Sequence, residues 1–128
     1  MKISWGQKLS CASGHYLKRW VFDFDLFSVR IHHWLGSDDQ RHMHDHPWNF
    51  VTIVLKGCYL DISEKSEVLS AGNIRYRKAE HKHSVYVSNP CWTLLLTGPE
   101  KRKFGFWVGN KFVKRNKYHF MKGIHPCE

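Results

Sequence analysis

The sequence predicts an all-β domain, a sandwich or barrel. Short apolar runs recur at regular spacing, each bounded by Gly, Pro, Asn, Asp or Ser. Several of these runs alternate with period two, the mark of a half-buried strand. No window carries a convincing amphipathic helix longer than about two turns. Aromatic residues make up 15% of the chain, six Trp and eight Phe among them, which leans the same way.

Taken in order, residues 16–22 form a short apolar segment able to pack. Residues 27–32 alternate cleanly and read as a strand, and residues 36–39 as a turn. Then His42, His44 and His46 stand at every second position, which on a strand puts all three on one face. Pro47 cannot donate to a ladder and marks a strand edge or a bend. Residues 49–60 suit a strand pair with its turn at Lys56-Gly57, and residues 61–70, being polar, suit a hairpin and loop. Ala71-Gly72-Asn73 is a turn. Residues 74–77 alternate, with Ile74 and Tyr76 on one face and Arg75 and Arg77 on the other. Residues 83–87 form a strand closed by Asn89-Pro90. The continuous apolar run 92–97 suits a buried strand, and residues 104–108 the last core strand. Residues 109–128 form a tail in which Lys and Arg sit among aromatics. One domain over 1–128 is expected, with its core at about 16–108.

The formal charge of +9 favours acidic partners, either small phosphorylated or carboxylated molecules or nucleic acid. Lys101-Arg102-Lys103 and residues 111–117, with Phe112 and Tyr118 interleaved, could track a phosphate backbone or simply be solvated. The four cysteines, Cys11, Cys58, Cys91 and Cys127, include no C-x-x-C pair, which argues against a thiolate zinc site or a dithiol redox motif. Cys58 and Cys91 lie in apolar strands and read as core thiols. The N-terminus lacks the apolar run of a signal peptide, and no stretch approaches the roughly 20 apolar residues of a membrane span. A cytoplasmic protein with reduced thiols, not a membrane protein, is the expectation. No G-x-S-x-G elbow or Gly-rich phosphate loop is present, so nucleophilic catalysis finds no support.

The chain holds ten histidines. Imidazole suits Fe, Zn, Mn, Ni and Cu, and the ligand type alone does not choose among them. Two histidines at i and i+2, joined by a third from a neighbouring strand, would hold one ion and leave positions open for water, substrate or dioxygen. At ~3.3 Å per residue a straight strand separates His42 from His46 by about 13 Å, too far for both to bind one ion. His44 with His46 is therefore the preferred pair, and His42 becomes a hydrogen-bonding neighbour or a proton shuttle. His81 shares the parity of His83 but sits in the turn, where a surface position is expected. Asp45 should anchor a loop near Arg41, and Trp48 and Phe50 should pack in the wall. Arg41, Arg75 and Arg77 carry the group best suited to grip a carboxylate or phosphate, provided their face lines the interior.

At these residues the sequence resembles the cupin superfamily. His44-x-His46 followed by Gly57 resembles its first motif, and Ala71-Gly72-Asn73 through His83-Ser84 resembles its second. The strings Arg41-His42-Met43-His44-Asp45-His46-Pro47-Trp48, Trp92-Thr93-Leu94-Leu95-Leu96-Thr97-Gly98-Pro99 and Phe104-Gly105-Phe106-Trp107 are similar to small cupin-domain proteins of bacteria and phages. The resemblance implies a double-stranded β-helix, or jelly-roll, barrel with a divalent metal at one open end held by His44, His46 and His83. Where the first motif carries Glu, this chain has Phe50, so the implied site is of the three-histidine kind found in the thiol-dioxygenase branch. Glu80, three residues before His83, stands as the replacement for the lost carboxylate.

The leading expectation is a non-haem Fe(II) oxygenase acting on a small anionic substrate, with Glu80 or His42 moving protons. Alternatives are a Zn- or Mn-dependent isomerase or hydrolase of a sugar or nucleotide, or a module that binds a small ligand or nucleic acid without turnover; Ni is a further candidate metal. A homodimer is expected by analogy.

Overall fold

The structure is a computed structural model that describes residues 1–11, 14–36, 43–102, 105–108 and 111–114. Arg41, His42, most of the turn expected at 36–39 and the chain from residue 115 lie outside the described residues. Twelve strands follow one another: β1 (Lys2–Cys11), β2 (Gly14–Asp23), β3 (Ser28–Trp34), β4 (Met43–His44), β5 (Phe50–Lys56), β6 (Cys58–Ile62), β7 (Glu67–Ser70), β8 (Ile74–Arg77), β9 (Ser84–Tyr86), β10 (Cys91–Thr97), β11 (Gly105–Val108) and β12 (Lys111–Lys114). No helix occurs among the described residues, and so none is long and apolar enough to cross a membrane.

One layer is a six-stranded antiparallel sheet in the order β1-β2-β3-β10-β5-β8. Across from it stand two three-stranded sheets, β12-β11-β4 and β7-β6-β9. A single β-bridge between His44 and His83 joins these two. The core cluster of Val54, Tyr59, Leu69, Val85, Val87 and Cys91 packs between the layers. Trp34 touches this cluster and also the smaller one of Leu9, Tyr16 and Leu17, which extends the core towards β1.

The connections explain why the layers form. Lys56-Gly57 was expected to turn a strand pair, but β5 and β6 belong to different sheets. Gly57, at φ +83°, is a corner at which the chain leaves one layer for the other. A Cβ on Gly57 would lie 2.8 Å from the Cβ of Cys91, so glycine is required here for space as well as for backbone conformation. The turn at residues 71–73 makes the return crossing beside it: the Ala71 N–H donates to the Gly57 carbonyl and the Gly72 N–H to the Val54 carbonyl.

Several segments depart from expectation. β1 lies ahead of the core expected from residue 16 and pairs with β2 along its length. Its alternation is faint, because Ile3 and Trp5 are exposed and Leu9 is buried. β7 lies within the polar stretch 61–70, and its one buried apolar side chain, Leu69, joins the core. β12 follows β11, so the expected tail from residue 109 begins with a further strand. β10 is central, yet its burial alternates: Cys91, Thr93, Leu95 and Thr97 face inward and Leu96 faces out. Cys91 is a core thiol as expected, but Cys58 is exposed, because the inward parity of β6 begins at Tyr59.

The inward face of β3 is unusually polar. Ser28, Arg30 and His32 share it, and the Ser28 hydroxyl bonds that of Thr97. Both ring nitrogens of His32 are buried without a hydrogen-bond partner among the described residues. Burial, aided by Arg19 and Arg30, pushes its pKa down to about 3. The unfolded chain takes up this proton near the ordinary value of 6.5. The stability linked to the neutral ring is therefore complete above pH 6.5 and is lost as pH falls towards 3, at ~1.4 kcal/mol per pH unit. Urea unfolding between about pH 7 and about pH 4.5 should show this slope. His32→Leu should remove that share of it and leave stability at neutral pH equal or higher, since no hydrogen bond is lost. Identical slopes in the two proteins would show that the ring is not held neutral.

Candidate metal centre

His44, His46 and His83 meet at the seam between the two smaller sheets. The His44 N–H donates to the His83 carbonyl at 2.8 Å and the His83 N–H returns the bond at 2.9 Å. The expected run of three histidines on one regular strand is not what brings the first two together. β4 ends at His44, and the chain then bends ahead of Pro47. The His46 N–H docks on the Ala79 carbonyl at 3.0 Å, so both histidines lean on the 79–83 segment. Ring centroids lie 5.3 Å apart for His44 and His46, and 4.8 Å for each of these with His83. One ring nitrogen from each falls within 4.8 Å of the others.

Two buried aspartates hold this arrangement. Asp45 is fully buried, accepts from the Gly105 N–H at 2.8 Å and pairs with Arg102, which ties β4 to β11. Asp45 was expected to anchor a loop near Arg41, which lies outside the described residues; among those described it pairs with Arg102. Asp61 accepts from His83 Nδ1 at 2.8 Å and pairs with Arg77 at 3.0 Å, with His81 Nε2 3.5 Å away. Burial pushes the Asp61 carboxyl up, but the hydrogen bonds from His81 and His83 outweigh it and hold the group well below the usual carboxylate range. An ionised carboxylate only accepts, so His83 Nδ1 carries the proton and Nε2 keeps its lone pair. That lone pair faces His46 Nε2 at 3.2 Å.

The donor set fits a divalent cation. With metal–nitrogen bonds of about 2.0–2.2 Å, neighbouring imidazole nitrogens stand roughly 3.0–3.4 Å apart, and the observed 3.2 Å falls in that range. Burial is the main cause lowering the pKa of both His46 and His83, so protons do not compete for these nitrogens at neutral pH. Phe50, buried with its ring 4.5 Å from that of His46, stands where β5 could otherwise have offered a carboxylate. His81, expected at the surface, is partly buried and forms a second cluster with Asp61 and His83.

The other expected site residues are placed differently. Glu80 is exposed and belongs to neither cluster, so it does not stand in for the missing carboxylate. Arg75 and Arg77 do point between the layers, as Arg77 lies opposite buried Phe50 in the ladder. Their charges, however, are spent on protein carboxylates. Arg75 pairs with Glu67 at 3.0 Å, and Arg77 with Asp61 and with Glu67 at 2.6 Å. Neither lines the cavity of about 560 Å³ that His44, His46 and His83 border, so the substrate-gripping role expected of them is not supported. The cavity's far wall is the inward face of the six-stranded sheet, including Arg30, His32, Thr52 and Thr93. Asp61 and Arg30 were not anticipated. Each had one signal, a charged residue at an inward position of an alternating strand: Asp61 two after Tyr59, and Arg30 between Ser28 and His32.

No family model matches this chain, and no curated protein sequence does. Solved structures do. An RmlC-like cupin from Shewanella frigidimarina aligns over 80% of this chain and 97% of its own, with TM-score 0.59 and 18% identity. KdgF from Halomonas sp. aligns over 67% of this chain and 81% of its own, with TM-score 0.57 and 14% identity. A DMSP lyase structure aligns over 64% of this chain at TM-score 0.54 and 19% identity, this chain spanning 47% of the lyase. Together with the facing antiparallel layers and their corner crossings, these likenesses show that the chain adopts the cupin fold, an all-β jelly-roll barrel.

Proposed function

We propose that this protein is a metal-dependent enzyme, a non-haem Fe(II) oxygenase acting on a small anionic molecule. The observation that carries the reading is the convergence of three imidazoles, with no carboxylate among them, on one wall of an interior cavity. His44, His46 and His83 would hold the ion. Bound there, Fe(II) supplies Lewis acidity and electrons for dioxygen chemistry at positions the protein leaves open. Asp61 orients His83, and Arg77 holds Asp61 in turn. Trp48 and Phe50 pack on His46 and keep bulk water from that side. His42 stands as the proposed proton-moving group, since Glu80 does not line the cavity.

A second reading keeps the same ligands and needs no oxygen: Zn, Mn or Ni would polarise a carbonyl of a sugar or nucleotide for isomerisation or hydrolysis. One fold neighbour is named a lyase rather than an oxygenase, which favours keeping it.

Metal binding separates both readings from a simple binding module. Competition against a chelator should show one tightly held divalent ion per chain. His83→Ala should abolish tight binding, and Asp61→Asn should weaken it about 10- to 100-fold by freeing the ring of His83. Wild-type affinity in both variants would remove the centre. Oxygen consumption by the Fe(II)-loaded protein with small carboxylates, compared with turnover under strict anaerobiosis with Zn, then decides the reaction class. Turnover that persists without oxygen would favour the second reading.

We also propose that two copies pair through the outer face of the six-stranded sheet. Val29, Ile31, Val51, Ile53, Leu94 and Leu96 project there from adjoining strands, without a charged residue among the outward positions of β3, β5 and β10 between them. Three strands ~4.8 Å apart and about seven residues long at ~3.3 Å each span roughly 14 by 23 Å, enough for the apolar centre of an interface that buries ~800 Å² per partner. Sedimentation should show a dimer at micromolar concentration, and Leu94→Lys should yield a folded monomer. A monomeric wild-type protein at that concentration would overturn the pairing.

A further inference from the structure

Of the arginines at or between the layers of the described fold, three are neutralised by carboxylates, and Arg19, which also lines the cavity, donates to Gln7 at 2.9 Å. Arg75, Arg77 and Arg102 pair with Glu67, with Asp61 and Glu67, and with Asp45 respectively. Arg30 is the exception: among the described residues it forms no ion pair. It sits centrally on the inward face of β3, between Val21 of β2 and Leu95 of β10 in the ladders. It lines the same cavity as the three histidines.

Its setting is built for a planar anion. Arg30 Nε donates to Ser28 Oγ at 3.0 Å, which fixes one edge of the guanidinium. The guanidinium carbon lies 4.8 Å from the centroid of the Trp48 ring, which fixes the face. With one edge and one face taken, the two terminal nitrogens remain as a fork. The same Trp48 ring stacks at 5.8 Å on His46, so one indole touches both the arginine and the histidine cluster. A ligand bound to both would need only a few carbon atoms. His32, two residues along the same face, adds ring nitrogens that lack any partner among the described residues. Burial, then the neighbouring Arg19, lowers the Arg30 pKa to about 10, so the group stays charged at neutral pH. Asp23, which also lines the cavity, opposes that shift without pairing with the group, and a charge buried with no carboxylate in contact carries a desolvation cost that a bound anion would relieve.

We propose that Arg30 is the anion-binding group of the cavity and takes the carboxylate of a small organic acid, whose remaining polar group faces His44, His46 and His83. A flat fork held against an indole pairs with the two oxygens of a carboxylate and satisfies its single charge; a phosphate can use the same fork but brings further oxygens and charge that one arginine leaves unmet. This inference rests on reading the cavity as the substrate site, but not on the ion itself.

The test is calorimetric titration of metal-free and Zn-loaded protein with acetate, malonate, succinate and inorganic phosphate. At least one carboxylate should bind the wild type more tightly than phosphate does. Arg30→Gln should weaken it 10- to 100-fold, the loss of a charge-assisted pair of hydrogen bonds. Arg30→Lys, which keeps the charge and guards against a folding defect, should recover only part of the affinity. Arg75→Gln should bind as the wild type does. Equal carboxylate affinity in Arg30→Gln, tighter binding of phosphate, or no carboxylate binding at all would overturn the proposal. Carboxylate binding that depends on Arg30 in a protein that holds no metal would instead sink the metalloenzyme reading and leave this one standing.

Discussion

Two backbone hydrogen bonds between His44 and His83 are the constraint on which the rest of the site depends. Among the described residues they form the one β-bridge between the sheets β12-β11-β4 and β7-β6-β9, so they complete the layer that faces the six-stranded sheet. Buried backbone polar groups need partners, and at this seam each residue satisfies the other. The bridge forces both side chains to leave neighbouring strands together. His46 is brought in by a third bond to the same segment, at Ala79. The imidazoles therefore converge because the main chain is closed here.

Buried charge reinforces the seam from both sides. Asp45 ties the His44 strand to Gly105 and Arg102, and Asp61 ties His83 to Arg77. Removing either carboxylate would leave a partly buried arginine and a polar group without partners, a loss of several kcal/mol in comparable pairs (~3–5). The same economy explains which cations are free for a ligand. Arg75 and Arg77 at the sheet edge are matched by acids of the opposite layer and Arg102 by Asp45 of its own, while Arg30, over the middle of the six-stranded sheet, contacts Ser28 and an indole and faces the cavity. The cavity thus has a neutral, nitrogen-rich wall on one side and a positive one on the other. That polarity suits an anion placed beside a cation held by three imidazoles.

The sheet carries two apolar faces of different kinds. The inward one mixes Val54, Leu95 and Cys91 with Thr52, Thr93 and Thr97, polar enough to line a site. The outward one, with Val51, Ile53, Leu94 and Leu96, is the more uniformly apolar. Strands such as 92–97 read as continuously hydrophobic for that reason, and not because both faces lie inside one barrel.

Strand character, most turn positions and the histidines that the fold brings together were legible in the sequence alone. Alternation and turn residues are local properties, and the pair His44-x-His46 with His83 was visible in composition and motif. The sequence could not show that β5 and β6 part at Gly57, because a glycine at positive φ serves a hairpin and a corner equally well. Nor could it separate Arg30 from Arg75 and Arg77. All three sit on alternating strands, and only the opposite layer, which brings Glu67 and Asp61 to two of them, decides which charge is left open. Asp61 was hidden for the same reason: a carboxylate in a polar stretch reads as a loop until the layer across supplies the imidazole and guanidinium that make its burial stable. Which residues are chemically available is a property of facing surfaces, and those are set by long-range pairing that no local pattern encodes.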